Sequence, residues 1–296
     1  MVTVRIPATI ANLGPAFDAL GVAVSLYNTV ELEAGSPPQV EVHGEGEGEL
    51  PVDERNLVHR AASAAAEAGG RTISFRIRCR NDIPLARGLG SSAAAIVGGV
   101  VAANAVLGRP LDPDSLLQLS VSLEGHPDNV AAALFGGVVV CNRAAGGVTY
   151  ARLTPAWRSA IVVAVPAFTV STEEARRRLP AVVPFGDAAA NVARTAVLVA
   201  SLASGRTDLL AHAMDDALHQ PYRRTLVPGM DAVFDAARAA GAYGTALAGS
   251  GPSIVAVTPP DRAGVVGEAM VRAFRDAGTS ARAHSLRIDE TGAAVI

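Results

Sequence analysis

Apolar and polar positions alternate through most of the first 80 residues, so strands are expected there. Val2–Pro7 alternates, Val22–Glu33 is a long run of β-formers, and Gln39–His43 is a third such stretch. Gly44–Leu50 alternates Gly with Glu and reads as a solvated turn. Thr72–Arg80 sets Ile73, Phe75 and Ile77 against Arg76, Arg78 and Arg80, the pattern of a half-buried strand.

Helical spacing appears at Asn56–Ala68 and again from about Ser91 to Leu107, with a loop over Asn81–Gly90 before the second helix. Asp114–Glu124 reads as a helix with Asp112 or Asp114 near its start, Val130–Leu134 as a short helical piece and Gly137–Cys141 as a buried strand. A Gly-rich turn, Ala144–Gly147, follows. From about Trp157 the pattern restarts with a strand at Ile161–Val165. Helices are expected over Thr172–Leu179, Ala188–Ser204, Asp208–His219, Met230–Ala240 and Arg262–Ala277. Tyr243–Leu247 and Ser253–Thr258 are strands joined by a Gly-rich turn, and Ala281–Leu286 closes the series. Without strict βαβ alternation, an α+β fold is favoured over a doubly wound sheet. The restart divides the chain near residue 155, into 1–155 and 156–296.

The chain has 296 residues, 50% hydrophobic and 18% charged, with net charge −3, which is globular and large enough for a sizeable core. All 25 basic residues are arginine. The missing lysine excludes a Walker-type P-loop, the protein-kinase fold, pyridoxal-phosphate chemistry and Schiff-base aldolases. Phosphate chemistry, if present, must draw its positive potential from backbone N–H groups, arginine or a metal. Cys79 and Cys141 lie too far apart in sequence to suggest a framework and read as cytosolic thiols. Residues 1–30 lack a secretory pattern, and Ala93–Leu107 is too short for a bilayer span, so a cytoplasmic protein is expected. Mild acidity and 4% aromatic residues give no support for nucleic-acid binding.

The string Pro84-Leu85-Ala86-Arg87-Gly88-Leu89-Gly90-Ser91-Ser92-Ala93-Ala94 carries the most chemistry. Gly88 and Gly90 let the backbone curl round an anion, and Ser91 and Ser92 open an apolar helix whose first N–H groups lack partners. Such an end binds phosphate without lysine, and either serine can face Mg²⁺. From these residues alone, a serine-capped packing helix remains the alternative. Pro7 to Asp18 ends a strand in a Gly/Pro turn carrying Asn12 and Asp18, a pair that suits a zwitterion or a plain Asx turn. Glu124-Gly125-His126-Pro127-Asp128-Asn129 gathers two carboxylates, an imidazole and an amide. That set suits a metal ligand beside a proton-handling group, whereas zinc spacing is lacking.

The first string resembles motif 2 of the GHMP kinases, P-x3-G-L-G-S-S-A-A, at each fixed position. Ala11-Asn12-Leu13-Gly14-Pro15-Ala16-Phe17-Asp18 resembles motif 1 of the homoserine kinase branch, with Ala16 where glycine is common. His126-Pro127-Asp128-Asn129 ahead of Phe135-Gly136-Gly137 resembles the same branch, and Thr245 to Ser253, with Gly249, Ser250 and Gly251, resembles motif 3. Ser171-Thr172-Glu173-Glu174-Ala175-Arg176 and Gln220-Pro221-Tyr222-Arg223 resemble the segments that carry a substrate-contacting threonine and two arginines.

The resemblance implies a two-domain GHMP kinase fold, with a ribosomal-protein-S5-like N-terminal half and a ferredoxin-like C-terminal half. It implies ATP-dependent phosphorylation of the side-chain hydroxyl of L-homoserine, a step of threonine biosynthesis, by a likewise implied homodimer. ATP would meet Asn56, Pro84, Arg87, Gly88, Leu89, Gly90, Ser91, Ser92, Ala93, Gly249, Ser250 and Gly251. Mg²⁺ would be held by Ser91 or Ser92 with Glu124. Homoserine would meet Asn12, Asp18, Asn129, Thr172, Arg176 and Arg223, with Asp128 and His126 as the catalytic pair. The alternatives are another small-molecule kinase of the family, of mevalonate or diphosphocytidyl-methylerythritol type, and a non-catalytic nucleotide-binding relative.

Overall fold

The computed structural model describes residues 1–35, 39–156 and 159–296. Trp157, where the sequence pattern restarts, lies outside the described residues. In chain order the first half runs β1 (Val2–Ala11), β2 (Leu20–Ala34), β3 (Gln39–Gly44), α1 (Leu57–Ala68), β4 (Phe75–Asn81), α2 (Ser91–Val106) and α3 (Pro113–Glu124). It continues with α4 (Pro127–Phe135), β5 (Val138–Ala144) and β6 (Gly147–Leu153). The second half runs β7 (Ala160–Pro166), α5 (Thr172–Arg177), α6 (Phe185–Ser204), α7 (Leu210–Ala213) and α8 (Gln220–Arg223). Then come α9 (Met230–Ala239), β8 (Gly244–Leu247), β9 (Ile254–Thr258), α10 (Ala263–Asp276), β10 (Ala281–Leu286) and β11 (Ala294–Val295).

Among the described residues, seven strands make one sheet along the path β11-β1-β2-β4-β3, with β5 on the early part of β2 and β6 beside β5. A second sheet has the order β10-β7-β9-β8 and is antiparallel throughout. Only β3 and β4 pair parallel, joined by the crossover helix α1. The fold is therefore α+β, as the missing βαβ alternation predicts. β4 shows why: Phe75, Ile77 and Cys79 are buried while Arg76, Arg78 and Arg80 face water. α2 is apolar all round and buried nearly all round, against the first sheet on one side and α1 on another. A Cβ at Gly99 would overlap Val58 O, so a side chain there would push α1 and α2 apart.

Several boundaries move for local reasons. The strand expected from Thr72 begins at Phe75, and the helix expected from Val130 begins at Pro127, with His126 as its N-cap residue. The expected helix Asp208–His219 does not form. Thr207–Leu209 is one 3₁₀ turn, α7 ends at Ala213, and Asp216 then caps a new turn. Its Oδ2 accepts from His219 N at 2.9 Å and Gln220 N at 2.7 Å. The Gly-rich turn at Ala144–Gly147 is a tight hairpin, and the strand it leads into, β6, was not anticipated.

The strap from Arg287 to Ile296 returns to the first sheet. Tyr27 donates to Asp289 Oδ2 at 2.8 Å, Asp289 N bonds Ala23 O at 2.9 Å, and β11 pairs with β1 at Val4 and Arg5.

Candidate active site

Motif 1, motif 2 and the turn between β8 and β9 meet at one cleft of about 920 Å³ between the two sheets. Of the site residues expected from sequence, all border it except Ala93 and Gly251. Ala93 is fully buried under the first turn of α2.

The Gly88–Ser92 end of the cleft is built from backbone. Gly90, at φ +68°, caps α2, and the first intrahelical bond runs from Ala94 N to Gly90 O. The N–H groups of Ser91, Ser92 and Ala93 are thus left for an anion, at the positive end of the helix dipole. Gly88 sits at φ +75° so close to the opposite turn that a Cβ would overlap Ala248 O. Arg87 donates to Leu85 O, Pro166 O and Ala167 O at 3.0, 3.0 and 2.8 Å, so its guanidinium braces the loop against the end of β7. Asn56 is likewise committed. Its Nδ2 donates to Pro51 O and its Oδ1 accepts from Val58 N, so it caps α1 and shapes an apolar wall with Leu50, Pro51, Leu57 and Leu85.

Beside Ser91 and Ser92 runs a chain of titratable groups. Ser92 Oγ donates to Glu124 Oε1 at 2.6 Å, Glu124 Oε1 lies 3.7 Å from His126 Nε2, and His126 Nδ1 lies 2.9 Å from Asp128 Oδ1. Burial raises the Glu124 carboxyl, against the pull of the Ser92 bond and of His126. For His126, burial alone would favour the neutral ring, but the Asp128 bond and the charges of Asp128 and Glu124 outweigh it and raise its pKa. Asp128 Oδ1 also accepts from Asn129 N at 2.8 Å, and its Oδ2 has no hydrogen-bond partner among the described residues. Asn129 Oδ1 accepts from Thr9 Oγ at 2.8 Å, which orients its amide.

The third wall carries opposite charges. Arg176 Nη1 and Nη2 fork onto Asp18 at 3.0 and 2.7 Å. Arg176 and Arg223 stack over the Phe17 ring, 5.4 and 5.3 Å from its centroid. Arg223 is buried, which together with Arg176 lowers its pKa to about 10 and leaves it charged at neutral pH. Thr172 Oγ1 stands 3.5 Å from Ser250 Oγ. Asn12 is occupied at both ends: Oδ1 accepts from Asp18 N at 2.9 Å and Nδ2 donates to Gly249 O at 3.0 Å. It places its neighbours and has little left to offer a ligand.

Thr9, Phe17, Asp216 and His219 belong to the site's construction and were not among the expected residues. Phe17 lies inside motif 1, and His219 immediately precedes Gln220-Pro221-Tyr222-Arg223, so both had a positional signal. Thr9 lies in the Pro7–Asp18 segment as well, whereas Asp216 has no such signal.

Oxygen donors suit Mg²⁺. Ser92 Oγ and a desolvated Glu124 carboxylate would be hard ligands beside the Gly88–Ser92 turn, and His126 is the nearest basic group to that carboxylate, at 3.7 Å.

Residues 56–137 match the family model for the GHMP kinase N-terminal domain, and residues 198–276 match that for the GHMP kinase C-terminal region. The homoserine kinase of Moorella thermoacetica is 47% identical over 297 residues, covering 100% of both chains. That of Carboxydothermus hydrogenoformans is 48% identical, covering 99% of this chain and 96% of the other. The crystal structure of homoserine kinase from Cytophaga hutchinsonii superposes with a TM-score of 0.91 at 33% identity, over 100% of this chain and 97% of that one. A mevalonate kinase crystal structure, at 12% identity and TM-score 0.73 over 98% of this chain and all of that one, shares the fold. No helix among the described residues is long and apolar enough to cross a membrane.

Proposed function

The chain belongs to the homoserine kinase family of the GHMP kinases, and from that premise we propose that it transfers the γ-phosphoryl group of ATP to the side-chain hydroxyl of L-homoserine. The product is O-phospho-L-homoserine, an intermediate of threonine biosynthesis. The observation that carries this reading is the meeting of a backbone phosphate cradle, the Ser92–Glu124–His126–Asp128 chain and the Asp18/Arg176/Arg223 charge pattern in one cleft. The chain division at 155/156 and a homodimer in the cytoplasm are parts of the same proposal.

The base of ATP lies toward Leu50, Pro51, Leu57 and Leu85, and its phosphates lie on the N–H groups of Gly88 to Ser92. Ser92 and Glu124 would hold Mg²⁺, with Ser91 as the alternative serine, and a metal held there would supply charge neutralisation for the phosphates. Asp18 takes the homoserine ammonium, and Arg176 and Arg223 take its carboxylate. Asp18 and Arg176 satisfy each other in the free protein, so a zwitterion enters by exchanging one ion pair for two. Asn129 and Thr172 face the same space. Asp128 Oδ2 accepts the hydroxyl proton while His126 holds the other oxygen. Phosphoryl transfer of this kind rests mainly on positioning and charge stabilisation.

ADP release measured with ATP-Mg²⁺ against homoserine, mevalonate, galactose and shikimate tests the substrate. Turnover confined to homoserine is expected, and none with homoserine would overturn the proposal. Arg176→Ala should raise KM for homoserine about tenfold while leaving KM for ATP in place, since it removes a charged hydrogen-bond pair. A rise confined to ATP would contradict the carboxylate role. Asp128→Asn should lower kcat by more than about tenfold, roughly 1.4 kcal/mol, if the proton must be accepted there. A smaller loss reduces Asp128 to a positioning role.

A further inference from the structure

His219 is a buried titratable group that the mechanism does not use. His219 is fully buried, and the Asp216 side chain beside it is equally inaccessible. His219 Nε2 lies 2.6 Å from Gly14 O, an acceptor only, so Nε2 carries the proton. Nδ1 lies 3.2 Å from Arg223 Nη1, a donor only, so Nδ1 offers its lone pair. Both contacts are satisfied together by the neutral Nε2–H tautomer. Burial agrees, because it favours the neutral ring.

Arg223 is therefore held by three acceptors. Nε donates to Ala175 O at 3.3 Å, and Nη1 donates to Gly249 O at 3.2 Å and to His219. Nη2 has no hydrogen-bond partner among the described residues, and Arg223 borders the cleft. Ala175 and Gly249 are backbone acceptors and Phe17 stacks under the guanidinium, so among the described residues His219 is the one side chain that hydrogen-bonds it and fixes its rotation in the plane. Asp216 holds the imidazole by accepting from the main chain at residues 218 to 220.

We infer that His219 is a positioning residue that fixes Arg223 Nη2 toward the substrate carboxylate and so sets the spacing between the carboxylate and ammonium subsites. This rests on the carboxylate reading of Arg223 given above. The Gly14 bond has a separate backup, since Asn191 links Pro15 O at 2.7 Å to Ala217 N at 3.0 Å. Loss of that one bond thus leaves motif 1 tied to the same segment.

The two amide substitutions separate the two ring nitrogens. Asparagine places its carbonyl oxygen where Nδ1 stands and keeps an acceptor for Arg223. Glutamine places its amide where Nε2 stands and keeps the Gly14 bond. His219→Gln should raise KM for homoserine about tenfold, the cost of one charge-assisted hydrogen bond, with kcat and KM for ATP unchanged. His219→Asn should stay within about threefold of the parent. Equal KM values for the two variants, or KM that follows loss of melting temperature instead of the acceptor, would overturn the inference. If His219→Gln does not fold, His219→Ala assayed with added imidazole replaces it. A lower homoserine KM with imidazole supports the role, and no change overturns it. Arg223→Ala is the companion. If it leaves homoserine KM unchanged, the carboxylate reading itself falls, whereas a rise there with inert His219 variants condemns the relay alone.

Discussion

Exchanging Glu124 for glutamine should lower turnover by on the order of a hundredfold, about 2.7 kcal/mol, without harming the fold. Glutamine matches the side chain in size and still accepts from Ser92 through Oε1, so the 2.6 Å contact survives. What disappears is a negative charge. That charge is costly where it stands, because burial raises the carboxyl's pKa. A group with a raised folded-state pKa binds its proton more readily in the folded chain. Stability therefore grows as pH falls through that pKa, and a permanently neutral glutamine should melt at or above the parent. Lower activity with equal or better stability is the mark of a charge kept for chemistry. The same shift sets a pH test. At limiting Mg²⁺, parent activity should fall off in acid as protons compete with the ion for the buried carboxylate, and Glu124→Gln should lack that limb. ADP release across a Mg²⁺ titration checks the assignment: half-saturation should move to higher Mg²⁺. Turnover and Mg²⁺ dependence both unchanged would end the ligand role.

Replacing Gly88 with alanine should cut kcat/KM for ATP by a similar factor, about a hundredfold, through a different cause. Two penalties act together. The backbone is at φ +75°, where a Cβ costs roughly 1 kcal/mol. The added carbon would overlap Ala248 O and lie 2.9 Å from Gly251 O. Neither carbonyl can yield cheaply. Ala248 N bonds Ser253 O at 2.9 Å, and Gly249 N bonds Ala11 O at 3.1 Å, so the turn is tied to both β9 and β1. The loop must move instead, and it takes the phosphate N–H groups with it. Gly48→Ala is the control. Gly48 has φ +77°, yet nothing lies within 4 Å of its added Cβ. It should show the backbone penalty in melting temperature and little change in ATP kinetics. Equal kinetic effects at the two positions would contradict the interlock.

Glycine and carboxylate signals of this kind explain how much could be read from the sequence. Motif 2 is local: its glycines, serines and following alanines act within one loop and one helix, and α2 starts at Ser91 as expected. The charged wall is not local. Asp18 meets Arg176 across 158 positions, and spacing alone gives no hint that each spends its charge on the other. Asn12 and Asn56 border the cleft, yet their amides are consumed by the backbone, a fact that belongs to turn geometry. The 208–219 segment does not form one helix because the apolar spacing of Leu209, Leu210, Ala213 and Met214 stops short of Asp216. That carboxylate gathers three main-chain N–H groups and restarts the chain in a new direction. β6 was hidden because its burial pattern leaves most of it in solvent, so no hydrophobic alternation announces it.

The strap that pairs β11 with β1 has a consequence for the order of events during synthesis. Val4 and Arg5 leave the ribosome long before their partners Val295 and Ala294. Until then one edge of the first sheet stays bare, and Ala23 O waits for Asp289 N. Contacts of such sequence separation close late, because the loop entropy is met before the contact repays it. The nascent first half thus carries an open strand edge until the strap emerges, and an uncovered edge invites pairing with other chains.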